Sequence, residues 1–479
     1  MPGTSLEEII SSCRGASLAN LDDPANILRV TGVTHDSRKV TQGDLFACVT
    51  GVNDDGHQYA DEAVRGGARA LLVERKLENV VPQIVVPNVR EALGPASSII
   101  YGEPSKSLNV IGVTGTAGKT TTVHALAQTL EACGKEAGVI GTLSGIHTTP
   151  EAPDLQRSLA VMRDNKKEWA CLEVSSHALE FGRVKAVNFA ATVFTNLSPE
   201  HLDFHKDMEA YFQAKRRLFD SESPIAVVST SDAWGKRLAS ELQGAGHQGL
   251  VIADPELIEN PKLEPSGSSF VWRGQEVKSS FLGGFNLMNL LVTAETLRAL
   301  GWQQEAIVDG LQQISPVKGR MEPVTVPDSD VAVIVDYSHK PEALKEALQS
   351  VRGLCDRRIW VVFGAGGDRD PSKRPLMGEI ARQLADEIVV TSDNPRSEVP
   401  IEIAKEIAAG IAIGATPYRI VLDRAEAIHE AIAEALPGDL VLVAGKGHES
   451  YQIIGGQTLP FDDVSVSQDA LTRRRESGA

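Results

Sequence analysis

The 479 residues are too many for one core and suggest roughly three domains; 42% hydrophobic and 23% charged residues is ordinary for a soluble globular protein. A net charge of −17, from 64 acidic and 47 basic residues, argues against wholesale binding to nucleic acid or to an acidic membrane surface. No apolar stretch approaches a membrane span, and the acidic start "MPGTSLEEIISSC" is unlike a basic export or transit signal, so a cytoplasmic protein without membrane insertion is expected. Cys13, Cys48, Cys133, Cys171 and Cys355 lie far apart without a C-x-x-C pair, which predicts isolated thiols rather than disulfides or a zinc site.

In chain order, strand-like "GDLFACV" and "ARALLVE" flank a helical "YADEAVRGG", and "YGEPSKSL" reads as a linker rich in turn formers. "NVIGV" is a short apolar run suited to a buried parallel strand. After it, Val123, Leu126, Ala127 and Leu130 recur at i, i+3, i+4 and i+7, giving one apolar helical face that Gly134 is placed to end. A second break falls near "QQISPVKGRMEPV". Beyond it, five strand-like runs, from "VAVIVDYS" to "DLVLVAGKG", alternate with four helical ones, which predicts a mostly parallel sheet with helices on both faces.

Between the first central strand and its helix lies "GVTGTAGKTTT", Gly112 to Thr122. Strict P-loop spacing fails, because Val113 stands where that pattern needs glycine. The physical requirements are nonetheless present. Gly115 and Gly118 free the backbone to converge its N–H groups, Lys119 supplies a point charge, and Thr120 opens the helix with a hydroxyl suited to Mg²⁺. The loop predicts a nucleotide phosphate site. "GAGGDRD" is no dinucleotide loop, since Arg369 occupies the position of its third glycine.

The form G-T-x-G-K-T-T is that of Mur ligases and folylpolyglutamate synthases. With "DSRKVTQGDLF", "HTTPEA", "LEVSSHALEFGRV", "FTNLSPEHLDFH", "EAYFQAKRRLF", "FNLMNLL", "VDYSHKPEAL", "TSDNPRSE" and "GKGHESYQII", the whole chain resembles the MurE type of the Mur ligase family. The resemblance implies an α/β chain of three domains. Residues 1–107 would bind the UDP substrate, 108–317 would form a central P-loop-type ATPase domain with a parallel sheet, and 318–479 a doubly wound, Rossmann-like domain for the amino acid. It implies an ADP-forming ligase, expected as a monomer, that joins meso-diaminopimelate to UDP-N-acetylmuramoyl-L-alanyl-D-glutamate through an acyl phosphate in peptidoglycan precursor synthesis. ATP and two Mg²⁺ ions are implied with it, because divalent metals spread the charge of a transferring phosphoryl group.

Carried over residue by residue, Gly115, Thr116, Ala117, Gly118, Lys119, Thr120 and Thr121 would hold ATP, with Asn286, Asn289, Arg320 and Asp336 as further ATP contacts. Thr120, Glu173, His201 and Lys215 would surround the metals, with Lys119, Lys215 and His201 in the chemistry and Lys215 carbamylated. From the residues alone Lys215 reads as a solvated helix lysine. Ser37, Thr148, Thr149, Ser175 and Arg183, again with Lys215, would contact the UDP substrate. His201 and His205 at i and i+4 could imitate a zinc pair, but no carboxylate motif supports one.

For the amino acid, the strand ends point to a site without any family. Asp336 and His339, Gly364 to Asp370, Asp393 to Arg396 and Gly445 to Glu449 all follow strand ends, which share one crevice in an open parallel sheet. The resemblance assigns Arg369, Asp393, Asn394, Pro395, Arg396, Gly445 and Glu449 to the acceptor and associates "DNPR" with diaminopimelate rather than lysine. A guanidinium matches the second carboxylate that lysine lacks. Readings left open are the same ligase with L-lysine, another amino acid or a variant nucleotide substrate, a non-catalytic scaffold of this family, and a plain nucleotide hydrolase.

Overall fold

The computed structural model describes residues 3–20, 28–51, 54–79, 81–145, 147–220 and 223–477. The chain divides into two compact units, one of residues 1–255 with 292–310, the other of residues 256–291 with 311–479. Helix Gly284–Ala299 carries the chain from the second into the first.

The first unit holds two main sheets. A five-stranded sheet in the order Ser17–Ala19, Gln83–Val85, Ala70–Val73, Asp44–Ala47, Gly32–Thr34 is parallel except at its first strand. The predicted strands around Ala60–Gly66 are among these elements. The second sheet is wholly parallel, with strands Leu250–Ala253, Ala226–Ser229, Phe189–Phe194, Asn109–Thr114, Trp169–Glu173 and Ala137–Ile140 in that order. Asn109–Thr114 is central because "VIGVT" is apolar on both faces, as a strand covered by helices on both sides must be. Helix Lys119–Ala132 buries Val123, Leu126, Ala127 and Leu130, the face read from their spacing, and Gly134 ends it at φ +78°. The segment read as a linker is a packed 3₁₀ turn, Pro104–Lys106, whose buried Ser105 accepts the Asn188 amide at 3.1 Å.

In the second unit, six strands run in the order Glu322–Val324, Ala332–Asp336, Leu440–Ala444, Ile359–Phe363, Glu387–Val390, Tyr418–Ile420, with only the first antiparallel. Successive side chains of a strand point to opposite faces, and the core divides accordingly. Ile334, Val361, Phe363, Ile388, Leu440 and Leu442 pack with helices Pro341–Arg352, Lys373–Leu384 and Pro400–Ile411. Val333, Val335, Trp360, Val362, Val441 and Val443 pack with helices Arg424–Glu434 and Asp463–Ser477. This is a doubly wound sheet. The chain passes from Ala332–Asp336 to Ile359–Phe363 over the strand that lies between them, Leu440–Ala444, so their loops open onto a crevice beyond the strand ends. A three-stranded antiparallel sheet, Glu259–Glu264, Gly267–Trp272 and Gln275–Ser279, and a hairpin, Tyr451–Ile454 with Gln457–Pro460, complete the unit. Among the described residues no helix is long and apolar enough to cross a membrane.

Candidate functional site

In the first unit the site grows from the end of strand Asn109–Thr114. Gly115 at φ +154° and Gly118 at φ +80° adopt backbone that side-chain-bearing residues resist, and a Cβ on Gly115 would run into the Thr195 hydroxyl. The neighbouring strand clamps the loop. Asn196 accepts the Ala117 amide at 2.9 Å on its side chain and the Thr116 amide at 2.9 Å on its carbonyl, while Thr195 donates to the Ala117 carbonyl at 2.7 Å. Lys119 Nζ donates to the Gly115 and Thr116 carbonyls at 2.8 and 2.7 Å.

A second lysine reaches the same loop. Lys215 Nζ donates to the Gly115 carbonyl at 2.7 Å and lies 4.6 Å from the centre of the Tyr211 ring. It is buried on helix Met208–Arg216, not solvated as its helix position suggests. Burial, reinforced by the charge of Lys119, holds its ammonium well below the ordinary lysine range, so the amine is biased toward its neutral, nucleophilic form.

Thr120 follows the loop lysine and donates to Glu173 Oε2 at 3.1 Å. Glu173 ends strand Trp169–Glu173, fully buried, and also accepts from the Thr142 amide at 2.9 Å and the Thr142 hydroxyl at 3.2 Å. Thr142 in turn meets the Thr148 hydroxyl at 3.2 Å, and Thr149 donates to the Glu173 carbonyl at 2.8 Å. Ser175 lies 3.3 Å from Thr149, whose carbonyl accepts from Arg183 at 3.0 Å. Residues expected on the phosphate side and on the UDP-substrate side are thus joined through one buried carboxylate. His201, at φ +56°, sits among His177, Phe204, His205 and Tyr211, with its ring 5.0 Å from that of His177. His205 bonds the Ser176 hydroxyl at 2.9 Å. Thr121 is buried behind Thr120, and half-buried Ser37 donates to Glu62 at 3.2 Å.

Thr142 lies outside the sequence motifs, and its local hint is the glycine before it at a strand end. Asn196 and Tyr211 lie inside "FTNLSPEHLDFH" and "EAYFQAKRRLF", where no role was assigned to them, and strand register and helix packing bring them to the loop.

The strand ends of the second unit gather the acceptor-side residues. The loops at Gly366–Arg369 and Asp393–Arg396 are interlocked: Gly367 N donates to the Asn394 carbonyl at 2.9 Å, Arg396 Nη1 to the Gly367 carbonyl at 2.6 Å, and Ser397 to Asp368 at 2.5 Å. Arg374, fully buried, braces them by pairing with Glu398 at 2.9 Å. Arg396 holds φ +54°, a strained value for a residue that carries a Cβ, and its backbone N–H donates to the Ile453 carbonyl at 3.0 Å. Asn394 Nδ2 donates to Glu449 at 2.9 Å, and Gly445 at φ +121° brings the chain beside Asp393. Pro395 is buried, and Arg369 extends into solvent.

Asp336 is buried and organises the turn around it, accepting the Met321 amide at 2.8 Å and the Ser338 amide at 2.9 Å. Arg320 stands over the Tyr337 ring at 4.8 Å. Asn286 and Asn289 are buried: Asn286 donates to the Leu282 carbonyl at 2.8 Å and accepts from Asn289 at 2.9 Å.

His339 and His448 flank the same Tyr337 ring at 4.5 and 4.7 Å. Burial lowers the pKa of both, and Arg320, Lys318 and His339 help push His448 down to about 4. A histidine that stays neutral in the fold but protonates at 6.5 when unfolded stabilises the protein above pH 6.5 and loses that stabilisation as pH falls toward 4. Urea unfolding of this unit is therefore expected at a lower midpoint at pH 5 than at pH 7, with the difference reduced in His448→Gln. An equal difference in the variant would exclude His448 as its source.

Three family models match successive stretches: the Mur ligase family catalytic domain over residues 29–100, the Mur ligase middle domain over 113–297, and the Mur ligase, glutamate ligase domain over 319–447. The chain is 41% identical to the UDP-N-acetylmuramoyl-L-alanyl-D-glutamate–2,6-diaminopimelate ligase of Gloeobacter violaceus, over 100% of both chains. It is 40% identical to the ligase of that name from Geobacillus thermodenitrificans, over 93% of this chain and 96% of the relative. A solved structure of a UDP-N-acetylmuramoyl-L-alanyl-D-glutamate–2,6-diaminopimelate ligase matches with a TM-score of 0.71 at 30% identity, covering 99% of each chain. MurF from Thermotoga maritima, solved in complex with ADP, shares the fold at a TM-score of 0.64 and 21% identity, covering 94% of this chain and 99% of that one. A glycine loop closing a parallel strand and a doubly wound sheet bearing a polar crevice are the frame of a nucleotide-dependent ligase. The chain belongs to the Mur ligase family.

Proposed function

We propose that the protein is an ATP-dependent, ADP-forming ligase that joins meso-diaminopimelate to UDP-N-acetylmuramoyl-L-alanyl-D-glutamate in peptidoglycan precursor synthesis. The observation that carries this reading is full-length identity of 41% to a ligase of that name, together with an intact Lys119, Thr120, Glu173, Lys215 and Arg396. Three functional segments, 1–107, 108–317 and 318–479, cytoplasmic location and a monomeric state belong to the same reading.

A carboxylate resists amines because it is anionic and lacks a leaving group. Its oxygen would attack the γ-phosphorus of ATP, with ADP leaving, and the amine would then attack the acyl phosphate carbon. Inorganic phosphate departs with the carboxylate oxygen, and the amine loses its proton. The loop amides of residues 115–120 and Lys119 would hold the phosphates, with Thr121 behind them and Asn286, Asn289, Arg320 and Asp336 completing the ATP contacts. Ser37, Thr148, Thr149, Ser175 and Arg183 would hold the UDP substrate. Arg369 and Arg396 would grip carboxylates of the acceptor, with Asp393, Asn394, Pro395, Gly445 and Glu449 around its amino end.

For the metals, the central donor is Glu173: it is buried, and its oxygens accept hydroxyl and amide hydrogens. That fits Mg²⁺, which takes one or two carboxylates and completes its shell with phosphates and water. Among the described residues no group of three or more His, Cys, Asp or Glu is gathered as a cage, so phosphate oxygens and waters would have to supply much of the shell. Thr120 and Glu173 would hold the first ion, and His201 with Glu173, helped by a carbamylated Lys215, the second. Bound Mg²⁺ would supply charge neutralisation on the transferring phosphoryl group.

The test is phosphate release with ATP, Mg²⁺ and the UDP-dipeptide, with and without diaminopimelate. Release that requires both substrates is expected. Release independent of them would mark a hydrolase, and none at all a scaffold.

A further inference from the structure

The strand-end crevice contains a buried lysine, among the expected acceptor residues, that the reaction above does not use. Lys446 follows the turn at Gly445 and is fully buried. Its Nζ lies 3.1 Å from Asn394 Oδ1, 3.2 Å from Glu449 Oε2 and 3.5 Å from Asp393 Oδ1, and 5.7 Å from the centre of the Tyr451 ring. An ammonium has three hydrogens and no acceptor; two are hydrogen-bonded, to Asn394 and Glu449, and Asp393 stands at ion-pair distance from the third.

We propose that Lys446 is the positioning residue for the amino end of the acceptor. The inference rests on the ligase reading and deepens it. Asn394 Oδ1 accepts both Lys446 Nζ and the Ile453 amide, the latter at 2.9 Å. With the oxygen committed twice, the carboxamide cannot flip, and Nδ2 is fixed toward Glu449. Charge is arranged the same way. Asp393 and Glu449 would repel each other as a bare pair, and Lys446 offsets one of the two charges. Two further buried cations have their own carboxylates: Arg374 pairs with Glu398 and Glu406, and Arg424 with Asp463 at 2.7 Å, with a bond to the Ala444 carbonyl at 3.0 Å. Among Asp393, Glu449 and Lys446 themselves, one net negative charge remains to attract an ammonium, at a spot whose geometry Lys446 has already set. Lys446 holds three side chains from two strand ends, and all three belong to the expected acceptor set.

The experiment compares Lys446→Met and Lys446→Arg with the unaltered full-length chain by steady-state kinetics, varying ATP, UDP-dipeptide and diaminopimelate in turn, with melting temperature measured alongside. KM for diaminopimelate is expected to rise about 10- to 100-fold, one charge-assisted hydrogen bond's worth, while KM for ATP and for the UDP-dipeptide stays within about 2-fold. Lys446→Arg keeps the charge but not the three-way fit, so it should fold and show the same selective rise, even if Lys446→Met does not fold. An unchanged KM for diaminopimelate in a folded variant, or an equal rise for all three substrates, would overturn the proposal. If the unaltered chain does not use diaminopimelate at all, the ligase reading fails first and this inference with it.

Discussion

Lys215→Ala is expected to lower ligation on the order of 10³-fold or more while the fold persists. The expected loss is large because this amine is buried against the phosphate loop, 2.7 Å from the Gly115 carbonyl, and burial and Lys119 favour its uncharged form. A neutral amine can attack carbon dioxide, form a C–N bond and release a proton, leaving an anionic carbamate where an ammonium would otherwise repel a metal. If so, bicarbonate with a short-chain carboxylic acid should restore part of the lost turnover by placing a free carboxylate in the vacated space. Melting temperature should change little, because the loop is also held by Thr195 and Asn196. Full activity in the alanine variant would remove Lys215 from the chemistry.

Arg396→Met is expected to raise KM for diaminopimelate about 10²-fold and to erase most of the preference over L-lysine. A bidentate guanidinium–carboxylate contact is among the stronger polar interactions available, and lysine would leave that arginine unpaired, so the unaltered enzyme's discrimination could reach about 10⁴-fold. The residue is pre-set for this. Its backbone holds φ +54°, and one guanidinium nitrogen is tethered to the Gly367 carbonyl at 2.6 Å, which orients the plane of the group. Competition kinetics with both amino acids reads the outcome directly, and an unchanged preference would exclude Arg396 as its source.

The sequence was most legible where local pattern and final environment agree. Continuous apolar runs such as "IWVVF" announce strands buried on both faces, and each predicted run from "VAVIVDYS" to "DLVLVAGKG" is found as a parallel strand. The antiparallel sheet at Glu259–Ser279 was not read, since Glu259–Glu264 is largely exposed and polar and carries no apolar alternation. Glu322–Val324 was hidden for a related reason: it is a short edge strand containing Pro323.

The site divides along the same line. Gly115 to Thr120 and "DNPR" are contiguous, so their chemistry is visible in the chain. Thr142, Asn196 and Lys446 act through partners 31, 79 and 52 residues away, a relation that only strand register creates. Lys215 and Asn286 look like surface residues locally, and tertiary packing buries them instead.

The most direct test of the account follows one oxygen atom. With ¹⁸O in the D-glutamate side-chain carboxylate of the UDP-dipeptide, turnover with ATP and diaminopimelate should yield inorganic phosphate carrying ¹⁸O, because the acyl phosphate passes a carboxylate oxygen to phosphorus. Unlabelled phosphate released alongside product would contradict activation of the carboxylate by ATP.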